Sequence, residues 1–163
     1  MTQLVLSGVA GVSISGPEHR GLAGVEQVRV GSVELIPVAA PTHPLAKSVS
    51  NSPGAARDHI QLLLADRSTL TEGKDFGVVG VRSWRLADLG AKHALLVAGI
   101  GWGGMPEPMV RADLESGRLK HLKLPEWSCA FYAMQAIYRT EAPPGPAAAW
   151  LIERFAKQSD ATW

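Results

Sequence analysis

Residues 83–119, SWRLADLGAKHALLVAGIGWGGMPEPMVRADLESGRL, constrain this chain more than any other stretch. Leu86, Leu89, His93, Leu96, Val97 and Ile100 fall three or four apart, which predicts a helix over 88–98 with one inward stripe. Asp88 stands where an N-cap belongs, its side-chain oxygen available to the first-turn amides. Gly99 stands where the chain needs a left-handed residue to leave the helix. Residues 100–105 are too short and glycine-rich for anything but a buried strand with other backbones close by. Pro106 and Pro108 suit the opening of a second helix, because a first-turn proline forfeits no hydrogen bond. Gly117 ends that helix. The pattern is a strand–helix–strand–helix unit.

The rest of the chain extends it. GVSIS at 11–15 predicts a strand, followed by strands over 25–30, 33–40, 59–65, 78–84, 119–124 and 129–138. Residues 47–54 read as loop, and APPGP at 142–146 breaks the chain before a last helix in which Ala147, Leu151, Arg154 and Phe155 share a face. Alternating strands and helices indicate the α/β class. With 163 residues, 46% apolar, the chain can bury a core as one domain or two small lobes. Sixteen basic and fifteen acidic residues form no block of like charge, which argues against nucleic-acid binding by this chain. No apolar run reaches membrane-spanning length. MTQLVLSGVAG lacks a basic leader, so no signal peptide is expected. The single cysteine, Cys129, excludes an internal disulfide and fits a reducing cytosol; it reads as a packed strand residue rather than a nucleophile.

LGAKHALLVAGIGWGGMPEPMVRADLESGRL resembles the C-terminal part of the effector-binding domain of LysR-type transcriptional regulators. VELIPVAAPTHPLA at 33–46 is similar to that family's strand leading into a histidine-proline-leucine-alanine turn. HIQLLLADRS at 59–68 and SWRLADLGAK follow in matching order, so the resemblance runs from Gly8 to about Phe155. One departure is Gly11, where the family often has an acidic residue three positions before Ile14.

The resemblance implies a periplasmic-binding-protein-like (type 2) two-lobe α/β domain, with a small-molecule effector held between the lobes. It further implies lobe two complete over 31–127. Lobe one is represented only by 1–30 and by a return segment with a C-terminal helix over 128–163, as in a domain truncated at its N-terminus. The family's DNA-binding helix-turn-helix has no counterpart in these residues.

Asp66, Arg67 and Ser68 follow the 59–65 strand, and the carboxyl end of such a strand borders the ligand crevice of open α/β sheets. The resemblance gives this loop polar effector contacts from lobe two, and Ser15 and Gly16 the matching place on lobe one. Hydroxyls, free amides and one guanidinium suit a small organic anion; an ordinary polar turn is the alternative. Trp84 and Trp102 can each wall the pocket, with core packing as the alternative, favoured for Trp84. GIGWGG leaves a helix and enters a strand, the reverse of a phosphate-cradling loop, so tight packing explains it better than nucleotide binding. The five histidines have no metal-ligand spacing, and His93 reads as a satisfied boundary residue.

The expected function is an effector-binding sensor module of a LysR-type regulator. It is expected to be cytoplasmic, non-catalytic and without a cofactor, and to self-associate through strands and a last helix left short of cover. A periplasmic-type solute-binding protein and a small α/β enzyme are the other classes with this architecture.

Overall fold

A computed structural model describes residues 2–16, 23–49, 51–65, 78–127 and 130–160. The chain divides into two compact units, one of residues 1–33 with 131–163, the other of residues 34–130.

In the second unit the stretch 83–119 forms β4 (Ser83–Leu86), α3 (Leu89–Val97), β5 (Trp102–Pro106) and α4 (Glu107–Glu115). Asp88 caps α3, its Oδ1 accepting the Ala91 amide at 2.8 Å. Gly99, at φ +78°, closes the helix as a Schellman turn. Its amide donates to Leu96 O and that of Ile100 to Leu95 O. This turn corrects one expectation. It swings Ile100 away from the inward stripe, leaving it 41% exposed. Leu96 is wholly buried, and Leu86, Leu89 and Val97 pack around it with Ile36, Val38, Leu62, Met105 and Val110. Gly117, again left-handed, ends α4.

The sheet of this unit orders the second half of β2 (Val25–Ala39), then β5, β3 (Gln61–Leu64) and β4. β3 runs parallel to β4 and β5, while β2 runs antiparallel to β5. The short β6 (Lys120–His121) pairs with β2 at Val38 and Ala39. Side-chain-free positions let β5 approach β3. A Cβ on Gly101 would stand 2.5 Å from Ile60 O, and one on Gly103 2.6 Å from Leu62 O. Tight packing therefore accounts for the GIGWGG glycines.

Three strand expectations change here. The segments 25–30 and 33–40 are one strand, which runs without a break through Gly31 at φ +156°. The segment 78–84 becomes β4 at 83–86, because the amides of Val79 and Gly80 donate to Gln61 Oε1 at 2.8 Å each instead of to a neighbouring strand. The segment 119–124 shrinks to β6, with one further bond to β2 from Leu122 N to Pro37 O. The histidine-proline-leucine-alanine turn forms a short helix, α2 (Pro44–Lys47), capped by His43 Nδ1. With a 3₁₀ turn (Ala55–Asp58) it covers a second cluster built on Ala39, Leu45, Trp102, Leu122 and Leu124.

The first unit holds α1 (Thr2–Leu6), β1 (Val12–Ser15), the first half of β2, β7 (Ala130–Arg139) and α5 (Pro146–Asp160). β7 lies between β1 and β2, antiparallel to β1. Val30, Ala136 and Ile152 centre its core, with Val12, Val28, Met134 and Tyr138 around them. Pro146 opens α5, where its missing amide costs nothing. Ile152 faces inward, whereas Ala147, Leu151, Arg154 and Phe155 share the exposed side.

Candidate functional site

In the first unit, β1 ends at the two residues singled out from the sequence, Ser15 and Gly16. Ser15 pairs with Gln135 of β7 in the antiparallel register, so their side chains rise from the same face. Gln135 Oε1 is buried with no hydrogen-bond partner, an acceptor that folding has desolvated without replacing the lost water. A Cβ on Gly16 would run into the hydroxyl and ring of Tyr132, so only glycine lets that ring lie over the strand end. Sequence reasoning missed Gln135 and Tyr132. The available signal was a single carboxamide inside the apolar run AFYAMQAIY.

In the second unit, β3 leads to Ala65, whose amide donates to Leu86 O at 2.8 Å. Asp66, Arg67 and Ser68 lie outside the described residues, as do His19 and Cys129. Trp84 sits on β4, the last strand in the sheet order, and is 48% exposed. Core packing, the alternative favoured for it, does not describe this ring. It does describe Trp102, which is wholly buried. Trp102 donates from Nε1 to Ala56 O at 3.2 Å and meets Trp127 edge-to-face at 6.1 Å.

Two charged groups inside the second unit, Asp113 and Lys92, have structural partners. His93 Nε2 lies 2.7 Å from Asp113 Oδ2, joining α3 to α4, and Arg118 approaches Oδ1 of the same carboxylate at 2.6 Å. This is the satisfied boundary histidine expected from the helix pattern. Lys92, on the buried side of α3, donates from Nζ to Gly104 O at 2.6 Å. Burial lowers its pKa to about 8. His43 is held near 4, first by burial and then by the neighbouring His59, whose ring meets it edge-to-face. Among the described residues no cluster of three or more histidine, cysteine, aspartate or glutamate side chains could hold a metal ion. No described helix is long and apolar enough to cross a membrane.

The fold is shared with known regulatory domains. The fold matches the regulatory domain of MetR, a LysR family regulator from N. meningitidis, at TM-score 0.71 and 16% identity, over 98% of this chain and 75% of that one. It matches the effector binding domain of QuiR in complex with shikimate at TM-score 0.74 and 18% identity, over 99% and 78%. It also matches the Synechocystis CcmR regulatory domain in complex with 2-PG at TM-score 0.76 and 14% identity, over 99% and 79%. At these identities the likeness establishes the fold, a periplasmic-binding-protein-like α/β domain. No curated protein matches the sequence. The family model of the LysR substrate binding domain matches residues 1–160, and the chain belongs to that family.

Proposed function

We propose that this chain senses a small organic anion and performs no chemistry on it, a finer reading than the substrate-binding role its family carries. The family match over residues 1–160 is the observation that supports it best. In the first unit the proposed contacts are Ser15, the Gly16 backbone and the unpartnered oxygen of Gln135. In the second they are Asp66, Arg67, Ser68 and the exposed Trp84. Trp102 contributes through packing. An acceptor such as Gln135 Oε1 asks for a hydroxyl or N–H on the ligand, and a guanidinium such as that of Arg67 asks for an acid group. A hydroxylated acid such as shikimate, the ligand named for the QuiR domain, has both features.

In this reading residues 31–127 are lobe two, and 1–30 with 128–163 are lobe one. The chain works in the cytoplasm as part of a transcription regulator and associates with itself. A ligand that binds one arrangement of the chain better than another is sufficient to act as a signal. Thermal-shift titration with hydroxylated and plain carboxylic acids tests the reading. A hydroxy acid should raise the melting temperature saturably, and Ser15→Val or Arg67→Ala should weaken it at least roughly tenfold, the cost of one charged or buried hydrogen bond. Stabilisation by no acid, or by acids equally well in both variants, would overturn it.

A further inference from the structure

The second unit carries a depression of about 240 Å³ walled by two segments to which no function has so far been given. One wall is the end of α2 and the residues after it, Lys47, Ser48 and Val49; the other is Lys120, His121 and Lys123. Leu45, Ala46 and Leu122 are the buried residues of its lining. Among the described residues no acidic side chain lines it. Lys47, Lys120, His121 and Lys123 are all exposed, and among the described residues none of them has an ion-pair partner. Arg118, the cation just upstream, is excluded from the group because Asp113 holds it.

The two walls are fastened together. Asn51 is buried, and its Nδ2 donates both to Leu45 O at 3.1 Å and to Lys123 O at 3.3 Å. Leu122 N donates to Pro37 O at 2.8 Å, which anchors the second wall to β2. Asn51 thus ties the two lysine-bearing backbones to each other. Concentrating cations around a concavity is unfavourable for the empty protein, and a bound anion relieves it.

We propose that this depression is a second ligand site, one that binds the phosphate group of a small molecule. Its volume admits a phosphate with a short substituent. Its cations are lysines, point charges able to approach a tetrahedral dianion from different directions. It has no arginine fork, which is what planar, bidentate carboxylate recognition uses. The site rests on none of the residues assigned to effector binding and stands whether or not that assignment holds.

Amide-resolved NMR titration of the whole chain with inorganic phosphate, at ionic strength held constant with chloride, tests it. Saturable shifts should centre on residues 47–49 and 120–123. The double variant Lys120→Ala/Lys123→Ala should bind about tenfold more weakly, and Lys47→Ala, on the opposite wall, several-fold more weakly. These side chains are exposed, so both variants should keep their melting temperature. Acetate should bind at least about tenfold more weakly than phosphate. Glycerol phosphate run in parallel separates the sources: tighter binding than phosphate identifies a phosphomonoester, equal binding free phosphate. Shifts that never saturate, that centre on Ser15 and Gly16, or that persist unchanged in the variants would overturn the proposal.

Discussion

The ammonium of Lys92 donates to the carbonyl oxygen of Gly104 across 2.6 Å, inside the packing of α3 on β5. Lys92 is only 5% exposed, one helical turn before the wholly buried Leu96. A charge in that position is held by one carbonyl rather than by a counter-ion.

Lys92 therefore makes stability depend on alkaline pH. Its folded pKa of about 8 lies below the ordinary 10.5, so between those values the unfolded chain binds the proton more tightly. Stability contributed by this group should rise as pH climbs through that window, by roughly 2–3 kcal/mol in total. Lys92→Met removes the dependence and should leave stability at pH 7 unchanged or raised. Denaturant titrations from pH 7 to 10 check this. A variant weaker by several kcal/mol at pH 7, with an unchanged pH profile, would contradict it.

His43 acts at the acid end. Its Nδ1 accepts the Leu45 amide at 3.2 Å, which requires that nitrogen to be unprotonated. Its pKa is held at about 4 against an ordinary 6.5, so the folded chain resists the proton that the unfolded chain takes up. The contribution is complete above about 6.5 and is lost as pH falls towards 4. It amounts to about 1–2 kcal/mol once solvent screening is allowed for. His43→Asn keeps a capping acceptor without a titrating ring. Its melting temperature should fall less than the parent's between pH 7 and 4.

Leu96 lies at the centre of the larger core, wholly buried. Leu96→Asp places an unpaired charge there at a cost of several kcal/mol, enough to abolish soluble expression. A soluble variant with unchanged circular dichroism would show that α3 packs by another face.

The exposed side of α5 carries Trp150 at 59%, Leu151 at 45% and Phe155 at 38% exposure. Arg154 lies over the Trp150 ring at 5.4 Å and shields only part of it. Apolar surface of this kind favours association with another copy. Burying ~800 Å² of it at ~25 cal/mol/Å² offers on the order of 20 kcal/mol gross, much of it offset by lost translational freedom and side-chain ordering. A dimer at micromolar concentration is expected in light scattering across a dilution series. Leu151→Glu with Phe155→Glu should convert it to monomer. A monomer of about 17 kDa at every concentration would refute association.

Features settled within a few residues could be read from the chain order alone. Asp88 reaches Ala91 three positions on, and Gly99 closes α3 through bonds to Leu95 and Leu96. Such caps depend on local spacing, so helix ends and glycine turns were legible, as was the α/β order of elements. The end of β1 at Ser15 was legible for the same reason. Whatever depended on a distant partner emerged only on folding. Gln61 fixes Val79 from 18 residues away and so displaces β4. Lys92 finds Gly104 at 12, and Asn51 finds Lys123 at 72. Gln135 became a candidate only when the sheet register set it beside Ser15. Lys47 joined Lys120 and Lys123 only when Asn51 tied the α2 backbone to Lys123. A local pattern specifies which backbone shape is cheapest; which polar side chains meet is set by chain closure over long separations, and no window of sequence contains both ends.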